Sequence, residues 1–417
     1  MTLAPPHDNC FAAHDRMVSF DAARRAAVKL ARPIGLREEV PVTGARGRIL
    51  AARIDAPCAL PLFDQAAMDG YAVCIAGKDC PPSALPVKGI TKAGDMPSLL
   101  LPGTAHRIMT GAALPLGADT VVMQEDVALR DDVVEFQPNL RSGGHIRRAG
   151  EDVVEGAAIL QAGCAIGWTE IALLSALGVT TVPVVRTLRI AILTTGSELR
   201  GAHEPLTPGV IRDANGPMLV ALLEHPNTSV VLHTVPDDPA AIENALKTIS
   251  QNVDLVITTA GMSAGEEDHV REAIVGAGGQ FDIFRVAMKP GKPVGLGRIG
   301  GARFVGLPGN PQAAAFGALA FVRPMIRAFL GQAEARSAAA EMAFASSHRQ
   351  GRTELLPVRL TNRNGRLIAD RAGPEGSHRM MTLVSADAVA VVPDTCSSFE
   401  AGTVLEILPF HTMRLER

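Results

Sequence analysis

The sequence predicts a multidomain α+β protein, and three observations support that prediction. The chain has 417 residues, which is too long for one ordinary core and suits roughly two to four domains. Between residues 188 and 331, apolar strand-like runs alternate with helical segments. Residues 81–137 and the stretch after residue 333 carry short apolar runs separated by turn residues, which favours β-structure.

The first part of the chain contains one helix signal and several turn signals. Residues 19–32 predict a short helix, because Ser19 is a good N-cap residue and Pro33 follows the last helical position. Residues 61–73 are rich in turn residues. Residues 143–153, GGHIRRAGEDV, are dense in charge and glycine and indicate a connector that carries chemistry or crosses between domains.

The central part predicts a parallel sheet with helices on both faces. Strands are expected at 188–196, 230–238, 254–261 and 304–310, and helices at 216–224, 239–250, 269–278 and 311–331. Pro324 is expected to kink the last helix. In such sheets ligands bind at the carboxyl ends of the strands, where Thr-Thr-Gly, Thr-Ala-Gly and Pro-Gly-Asn fall. The tail after residue 333 predicts a small β-barrel or sandwich.

Composition excludes several classes of protein. A net charge of −3, with one Trp and one Tyr, argues against nucleic-acid binding. No apolar run reaches the ~18 residues that span a bilayer, and the N-terminal residues carry no secretory pattern. The six scattered cysteines form no C-x-x-C pair, which favours reduced thiols and a cytoplasmic location. Dinucleotide, P-loop, zinc-protease and nucleophile-elbow motifs are absent from the sequence.

Two neighbouring motifs predict an anion site. MKPGKPVG (288–295) places Lys289 and Lys292 in one turn, in a chain with only seven lysines. Lysine is a compact charge with three donors and suits a small oxyanion. GLPGNPQAA (306–314) follows, and its Gly-Asn-Pro step into a helix offers backbone N–H groups to an anion.

Acidic and hydroxyl side chains are predicted at the same rim of the sheet. They are Glu198, Asp213, Ser263, Glu266, Glu267 and Asp268, together with the amide of Asn215, in TTGSEL, IRDANG and AGMSAGEEDHV. Carboxylates facing lysines suit a phosphate ligand with Mg²⁺; the alternative is that they are helix caps and solvated charges. Asp69 in MDGY and Thr110 in RIMTG are each, taken alone, more typical of turn residues than of ligands.

Taken in chain order, ten segments of the sequence resemble the molybdopterin molybdenumtransferase family (molybdenum insertases, including bacterial MoeA and the E domain of gephyrin). They are FDQAAMDGYAV, RIMTGA, VVMQED, IRRAGEDV, TTGSEL, IRDANG, AGMSAGEEDHV, MKPGKPVG, GLPGNP and EGSH. They extend over nearly the whole chain, and ten motifs in the same order are far more specific than any one of them.

The resemblance implies a division into four domains. An elongated first domain would comprise residues 1–60 and 148–186, with a β-rich domain, 61–147, inserted into it. Residues 187–331 would form an α/β doubly wound molybdopterin-binding domain, and residues 332–417 a small C-terminal β-barrel. The resemblance also implies a homodimer whose active site lies between the third domain of one subunit and the second and fourth domains of the other.

The resemblance implies insertion of molybdate into adenylylated molybdopterin, with release of AMP and a requirement for Mg²⁺. Lys289 and Lys292 would hold molybdate or a phosphate, assisted by Arg352 and Ser377. Glu198, Asp213 and Asp268 would bind the nucleotide or position the metal, and Asp69 and Thr110 would close the site across the dimer. The anion turn would be shaped by Pro308, Gly309, Asn310 and Pro311. Asp152 and Ser263 would contact the substrate. Transient contacts with a molybdopterin adenylyltransferase and with molybdoenzymes are expected.

The chain departs from the family pattern at four places. Ser197 replaces a frequent Asp, Ala260 the first glycine of a Gly-Gly pair, His269 a Tyr, and Gln312-Ala313 a Val-Ser pair. The lysines and most acids remain, so activity is expected. A different pterin nucleotide, or tungstate in place of molybdate, stays open, as do two other readings: a non-catalytic binding or scaffold paralogue, and a molybdopterin adenylyltransferase.

Overall fold

A computed structural model gives the fold and describes residues 17–76, 82–138, 140–262, 269–334 and 337–411. The chain divides into two compact units. The first contains the described residues within Met1–Glu38, Gly47–Ala51 and Val184–Arg417. The second contains those within Glu39–Arg46 and Ala52–Pro183.

The helices and strands are distributed along both units. The α-helices are α1 (Phe20–Leu30), α2 (Trp168–Ala176), α3 (Asn215–Leu223), α4 (Pro239–Ile249), α5 (His269–Gly276), α6 (Pro311–Gly317), α7 (Arg323–Phe329) and α8 (Met380–Ser385). A π-helical turn, Ala318–Val322, joins α6 to α7, and 3-10 turns occupy Val42–Gly44 and Gln124–Asp126. The strands up to residue 185 are β1 (Val18–Ser19), β2 (Arg37–Pro41), β3 (Ile54–Asp55), β4 (Gln65–Ala66), β5 (Gly70–Val73), β6 (Ala84–Thr91), β7 (Ala105–Ile108), β8 (Thr120–Met123), β9 (Val127–Arg130), β10 (Val133–Phe136), β11 (Ile146–Arg147), β12 (Ala158–Leu160) and β13 (Thr181–Val185). Those after it are β14 (Leu188–Thr195), β15 (Leu199–Arg200), β16 (Ile211–Arg212), β17 (Thr228–Val235), β18 (Leu255–Thr259), β19 (Gln280–Lys289), β20 (Pro293–Ile299), β21 (Ala302–Leu307), β22 (Ala338–Met342), β23 (Ser346–Ser347), β24 (Thr353–Arg363), β25 (Arg366–Arg371), β26 (Ala388–Val392), β27 (Ser398–Phe399) and β28 (Val404–Pro409).

The α/β part of the first unit contains the predicted parallel sheet. Strands β17, β14, β18 and β21 pair in parallel in that order. Alternate residues of β14 face opposite sides: Ile190 and Ile192 join the core under α1, α3 and α6, while Ala191 and Leu193 join the core under α4 and α5. The expectation of helices on both faces is therefore confirmed.

The sheet continues beyond the predicted strands. β20 pairs antiparallel to β21, and β19 pairs antiparallel to β20. No strand was predicted for residues 280–299, because their Gly- and Pro-containing sequence gives only weak alternation. The extension matters for the site because the Lys289–Lys292 turn joins β19 to β20.

The long helix predicted at 311–331 is interrupted as expected near Pro324. The π-helical turn ends at Val322, so Pro324 lies in the first turn of α7. Proline has no N–H to donate and is tolerated at that position. The helical segment packs on α1, where Phe20 and Phe321 meet edge to face with ring centroids 5.8 Å apart. Ser19 caps α1 by accepting a hydrogen bond from the N–H of Ala22 at 3.4 Å.

The C-terminal strands of the first unit form a closed five-stranded barrel. The pairing runs β24–β25–β22–β28–β26, and β26 returns to β24. This closure decides between the barrel and the sandwich that the sequence left open. The barrel joins the α/β sheet where β24 pairs in parallel with β19, with Met288 opposite Thr353 and Lys289 opposite Glu354.

The second unit is built on a six-stranded sheet, ordered β8–β5–β7–β6–β10–β9, which confirms the β-rich character expected for this region. Its core contains Tyr71, Val73, Leu85 and Val122. Asp69 directly precedes β5, and Thr110 follows β7, the strand paired with β5. None of the described helices has the length and apolar character that a membrane crossing requires.

Candidate active site

The lysine turn packs against the Pro-Gly-Asn turn. Gly291, between the two lysines, has φ +99°, which favours glycine because a side chain there is strained. A Cβ at Gly291 would lie 3.4 Å from both Pro308 Cγ and Ala313 Cβ. The two motifs that the sequence singled out therefore meet at the edge of the sheet, as predicted.

Lys289 is held by a buried carboxylate. Its Nζ lies 2.6 Å from Glu354 Oε1, and the side chains are 61% and 8% exposed respectively. The hydrogen bond to Glu354 raises the pKa of Lys289, with the charges of Glu354 and Glu375 contributing and burial opposing. Lys289 is therefore fully protonated at neutral pH and presents a fixed positive charge.

The Gly-Ser-His loop of the barrel domain is tied to the start of α6. The N–H of Gln312 donates to the Ser377 carbonyl at 3.2 Å, and its side-chain Nε2 donates to the Arg379 carbonyl at 2.8 Å. Gln312 is 3% exposed. These bonds place Ser377 beside the Pro-Gly-Asn turn.

The same contacts engage one of the backbone donors expected at the start of this helix. It was predicted to offer several backbone donors to an anion. Pro311 has no N–H, and the N–H of Gln312 is engaged by Ser377. Neither of these two positions therefore offers a backbone N–H to an anion.

Asp213 and Asn215 lie where α3 begins. Asp213 Oδ1 accepts a hydrogen bond from the N–H of Gly216, in the first turn of α3, at 3.0 Å. Asn215 Nδ2 donates to the Gly309 carbonyl at 2.7 Å and to Thr259 Oγ1 at 3.4 Å. Asn215 thus joins α3, the end of β18 and the Pro-Gly-Asn turn.

The end of β18 has an unusual backbone. Ala260 has φ +73° and Gly261 φ +70°, so two consecutive residues are left-handed. A Cβ at Gly309 would lie 3.4 Å from Ala260 Cβ. The position where the family often has glycine is therefore a strained alanine beside the Pro-Gly-Asn turn.

Glu198 lies next to the segment that leads into Asp213. Its carbonyl accepts a hydrogen bond from the N–H of Ile211 at 2.8 Å. β15, which begins at the next residue, pairs in parallel with β16, which begins at Ile211. Ser263, Glu266, Glu267 and Asp268 lie outside the described residues.

The described residues limit which kind of metal site the rim could provide. The described part of the chain contains no group of three or more His, Cys, Asp or Glu side chains that could hold a metal ion. A cation enclosed by protein ligands therefore has no support there. Magnesium does not need such a group, because it takes one or two carboxylates and fills its remaining positions with phosphate oxygens and water.

Asp69 and Thr110 are brought together in the second unit. Asp69 Oδ1 accepts from the Thr110 hydroxyl at 2.6 Å and from the Thr110 N–H at 2.7 Å. These two bonds lower the pKa of Asp69, so it is ionised at neutral pH. Asp152 is exposed, and its N–H donates to the Leu60 carbonyl at 3.1 Å.

Sequence reasoning missed Glu354 and Gln312 as parts of the site. Glu354 is the one acidic residue in the apolar run of TELLPV, and such a charge in a buried strand is a usable signal. Gln312 has no comparable signal, because its role depends on the loop that folds onto it.

Comparison with known proteins identifies the family. The model for the MoeA N-terminal region (domains I and II) matches residues 18–178, that for a probable molybdopterin-binding domain matches 191–328, and that for the MoeA C-terminal region (domain IV) matches 339–410. A molybdopterin molybdenumtransferase 2 of Mycobacterium tuberculosis is 36% identical over 383 residues, covering 88% of this chain and 94% of that protein. The chain belongs to the MoeA family of molybdopterin molybdenumtransferases.

Two further MoeA relatives match nearly end to end. The molybdopterin molybdenumtransferase of Haemophilus influenzae is 34% identical over 403 residues, covering 95% of this chain and 99% of that protein. The solved structure of a molybdopterin biosynthesis MoeA protein from Pyrococcus horikosii superposes with a TM-score of 0.81 at 28% identity, covering 95% of this chain and all of that one. The resemblance drawn from the motifs and the α+β multidomain fold class are confirmed.

Proposed function

We propose that this chain is a molybdopterin molybdenumtransferase, which inserts molybdate into adenylylated molybdopterin and releases AMP. The names of its MoeA relatives support the reaction. The structural observation that carries the proposal is the packing of the Lys289–Lys292 turn against the Pro-Gly-Asn turn. That packing provides a positively charged site for a small oxyanion at the edge of the sheet. We call this site, formed by Lys289, Lys292 and the Pro-Gly-Asn turn, the lysine cradle.

The cradle residues take separate roles. Lys289 and Lys292 bind molybdate through charge-assisted hydrogen bonds, each contributing about 1.5–3 kcal/mol. Arg352 and Ser377 assist from the barrel domain. Pro308, Gly309, Asn310 and Pro311 shape the turn against which the lysines pack.

The nucleotide part of the substrate would bind at the neighbouring rim of the sheet, at the carboxyl ends of the parallel strands. Glu198, Asp213 and Ser263 contact the pterin nucleotide in this proposal. Asp213 and Asp268 are the candidates for Mg²⁺, with the substrate's phosphates as the other ligands. Bound there, Mg²⁺ would neutralise charge on the pyrophosphate.

Asp69 and Thr110 enter through the proposed homodimer, and Asp152 is a further substrate contact. Each active site would combine the lysine cradle of one subunit with Asp69 and Thr110 of the other. The mutual hydrogen bonds of Asp69 and Thr110 support a shared role, because they keep the carboxylate ionised and oriented. The division into four domains given above is retained as part of this proposal.

The proposal extends to partners and location. The product would pass to molybdoenzymes, and the substrate would come from a molybdopterin adenylyltransferase, through transient contacts in the cytoplasm. A competition experiment between molybdate and tungstate decides which of the two oxyanions the site prefers.

The reaction is tested by measuring AMP release from adenylylated molybdopterin on purified protein, with each ion omitted in turn. The proposal requires that release depends on molybdate and on Mg²⁺ together. A scaffold paralogue would bind the nucleotide and release nothing, and an adenylyltransferase would consume ATP. Either result would overturn the proposal.

A further inference from the structure

A buried carboxylate in the barrel contacts the lysine cradle. Glu354 is buried and lies between the buried residues Thr353 and Leu355 in β24. A carboxylate buried in an apolar strand is costly unless a partner compensates its charge. The partner is Lys289, with the two charged atoms 2.6 Å apart.

Strand register sets this contact. β19 and β24 pair only at Met288–Thr353 and Lys289–Glu354. Lys289 is the last residue of β19, and Glu354 the second of β24. The barrel therefore joins the α/β sheet at Lys289, one of the two lysines of the cradle. The strand pairing fixes the position of the Glu354 carboxylate beside it.

The contact engages only part of the ammonium group. A lysine ammonium has three N–H donors, and Glu354 accepts from Nζ through one oxygen. The Lys289 side chain remains 61% exposed. Within the described ranges, Lys292 makes no ion pair with an acidic side chain, so the two lysines of the turn differ in how they are held.

We propose that Glu354 is a positioning residue for the oxyanion site. It fixes the Lys289 ammonium through one hydrogen bond and leaves two donors directed at the bound oxyanion. Lys292 supplies the second charge. This inference rests on the proposed function of the lysine turn as the molybdate site.

Three variants distinguish a positioning role of Glu354 from a purely structural role of its buried side chain. Glu354→Met removes the acceptor at similar volume, Glu354→Gln keeps an acceptor of the same length, and Glu354→Asp withdraws the acceptor by one methylene. Positioning predicts that Glu354→Met raises the KM for molybdate about tenfold with kcat within twofold. Glu354→Gln should stay within about threefold of the wild type, and Glu354→Asp should raise KM several-fold.

A control ion pair joins β28 of the barrel to α1. Glu406 pairs with Arg24 at 3.0 Å, with both side chains about a quarter exposed. Glu406→Met and Glu406→Gln remove a partly buried ion pair outside the cradle. They should leave the KM for molybdate unchanged.

Chemical labelling gives a readout that does not depend on catalysis. Acylation by an N-hydroxysuccinimide ester at pH 8.5, measured by peptide mass spectrometry, reports the neutral amine fraction of each lysine. Because the pKa of Lys289 is raised by Glu354, Glu354→Met should accelerate labelling of Lys289 several-fold. Labelling of Lys292 should not change and serves as the internal reference.

The outcomes are distinguishable. If Lys289→Ala leaves the KM for molybdate unchanged, the proposed molybdate site is wrong. If Lys289→Ala raises KM while Glu354→Met changes neither KM nor Lys289 labelling, the positioning role is overturned. A fall in kcat and thermal stability with unchanged KM would also overturn it, as a purely structural role. If Glu354→Met does not fold, the contrast between Glu354→Asp and Glu354→Gln decides.

Discussion

Lys292 is the residue whose loss should affect oxyanion binding with the least structural consequence. Replacing it by alanine removes one charge-assisted contact, and the KM for molybdate should rise roughly ten- to hundredfold. Thermal stability should stay within experimental error. Initial rates of AMP release over a range of molybdate concentrations measure the change.

The control for that variant is another lysine in a regular element. Lys247 in α4 forms an exposed i,i+4 pair with Glu243 at 2.6 Å. Lys247→Ala should leave the KM for molybdate unaltered. Equal effects of the two substitutions would mean that the lysine turn has no special role.

Ala260 is predicted to be a strained residue. At φ +73° an alanine costs about 1–2 kcal/mol relative to an ordinary conformation, and glycine does not. Allowing for the greater flexibility of glycine in the unfolded chain, Ala260→Gly should stabilise the protein by about 0.5–1 kcal/mol. Equilibrium unfolding in urea measures it, and a loss of stability would contradict the backbone described here.

At this scale the sequence predicted contacts within motifs better than contacts between them. The lysine turn and the Pro-Gly-Asn turn were recognised because proline and glycine punctuate them. The Asp69–Thr110 bond and the Lys289–Glu354 pair join residues 41 and 65 positions apart. Such pairs follow from strand register, which the local sequence does not specify.

Among the secondary-structure elements, β18 is anchored by a carboxylate at its beginning. Asp254 accepts two hydrogen bonds from the Arg186 guanidinium, at 2.8 and 2.9 Å, and one from the N–H of Arg189. Its own N–H donates to the Arg189 carbonyl at 2.9 Å. This network fixes the start of β18 beside β14, and so sets where the rim at the other end of β18 lies.

Asp254→Asn should therefore destabilise the first unit by about 2–4 kcal/mol. Burial raises the pKa of Asp254, but the bonds from Arg186 and Arg189 outweigh it and the net shift is downward. The stability that the lowered pKa provides is present above the unfolded value of about 3.9. It is lost as pH falls through the lower folded value.

Denaturant unfolding at pH 7 and at successively lower pH measures this contribution. Asp282→Asn is the matched control, because Asp282 pairs with Arg298 at 3.3 Å with both side chains well exposed. That pair should contribute less than about 1 kcal/mol. Equal losses for the two substitutions would contradict the role given to Asp254.

Element prediction succeeded where periodicity and length agreed. The four parallel strands and their helices were recognised because apolar runs alternated with helical segments. β19 and β20 were not predicted, because the Gly and Pro residues around the lysine turn weaken the alternation of apolar and polar residues that indicates strands. Strand patterns alone did not decide between a barrel and a sandwich for the tail, because closure depends on the pairing of β24 with β26; only the family resemblance implied the barrel.

For the whole molecule, the proposed composite active site makes a prediction about mixed dimers. Asp69→Asn and Lys292→Ala should each reduce activity in homodimers. A dimer with one subunit of each kind would contain one intact site and one doubly altered site. It should therefore recover about half of the wild-type activity, because the two sites of a symmetric dimer are equivalent.

Co-expression with two different affinity tags, followed by sequential purification, isolates that mixed dimer. Recovery of activity supports a site shared between subunits. A mixed dimer no more active than the two parent variants would place Asp69 and Lys292 in the same subunit's site. A monomeric protein in solution would remove the basis for the dimer altogether.

The measurement that tests the central claim most directly counts both products of the reaction. Purified protein, adenylylated molybdopterin, molybdate and Mg²⁺ are incubated, and AMP is quantified together with cofactor able to activate an apo-molybdoenzyme. A molybdenumtransferase should yield one active cofactor for each AMP, and none when molybdate is omitted. AMP release without active cofactor, or no release at all, would contradict the account.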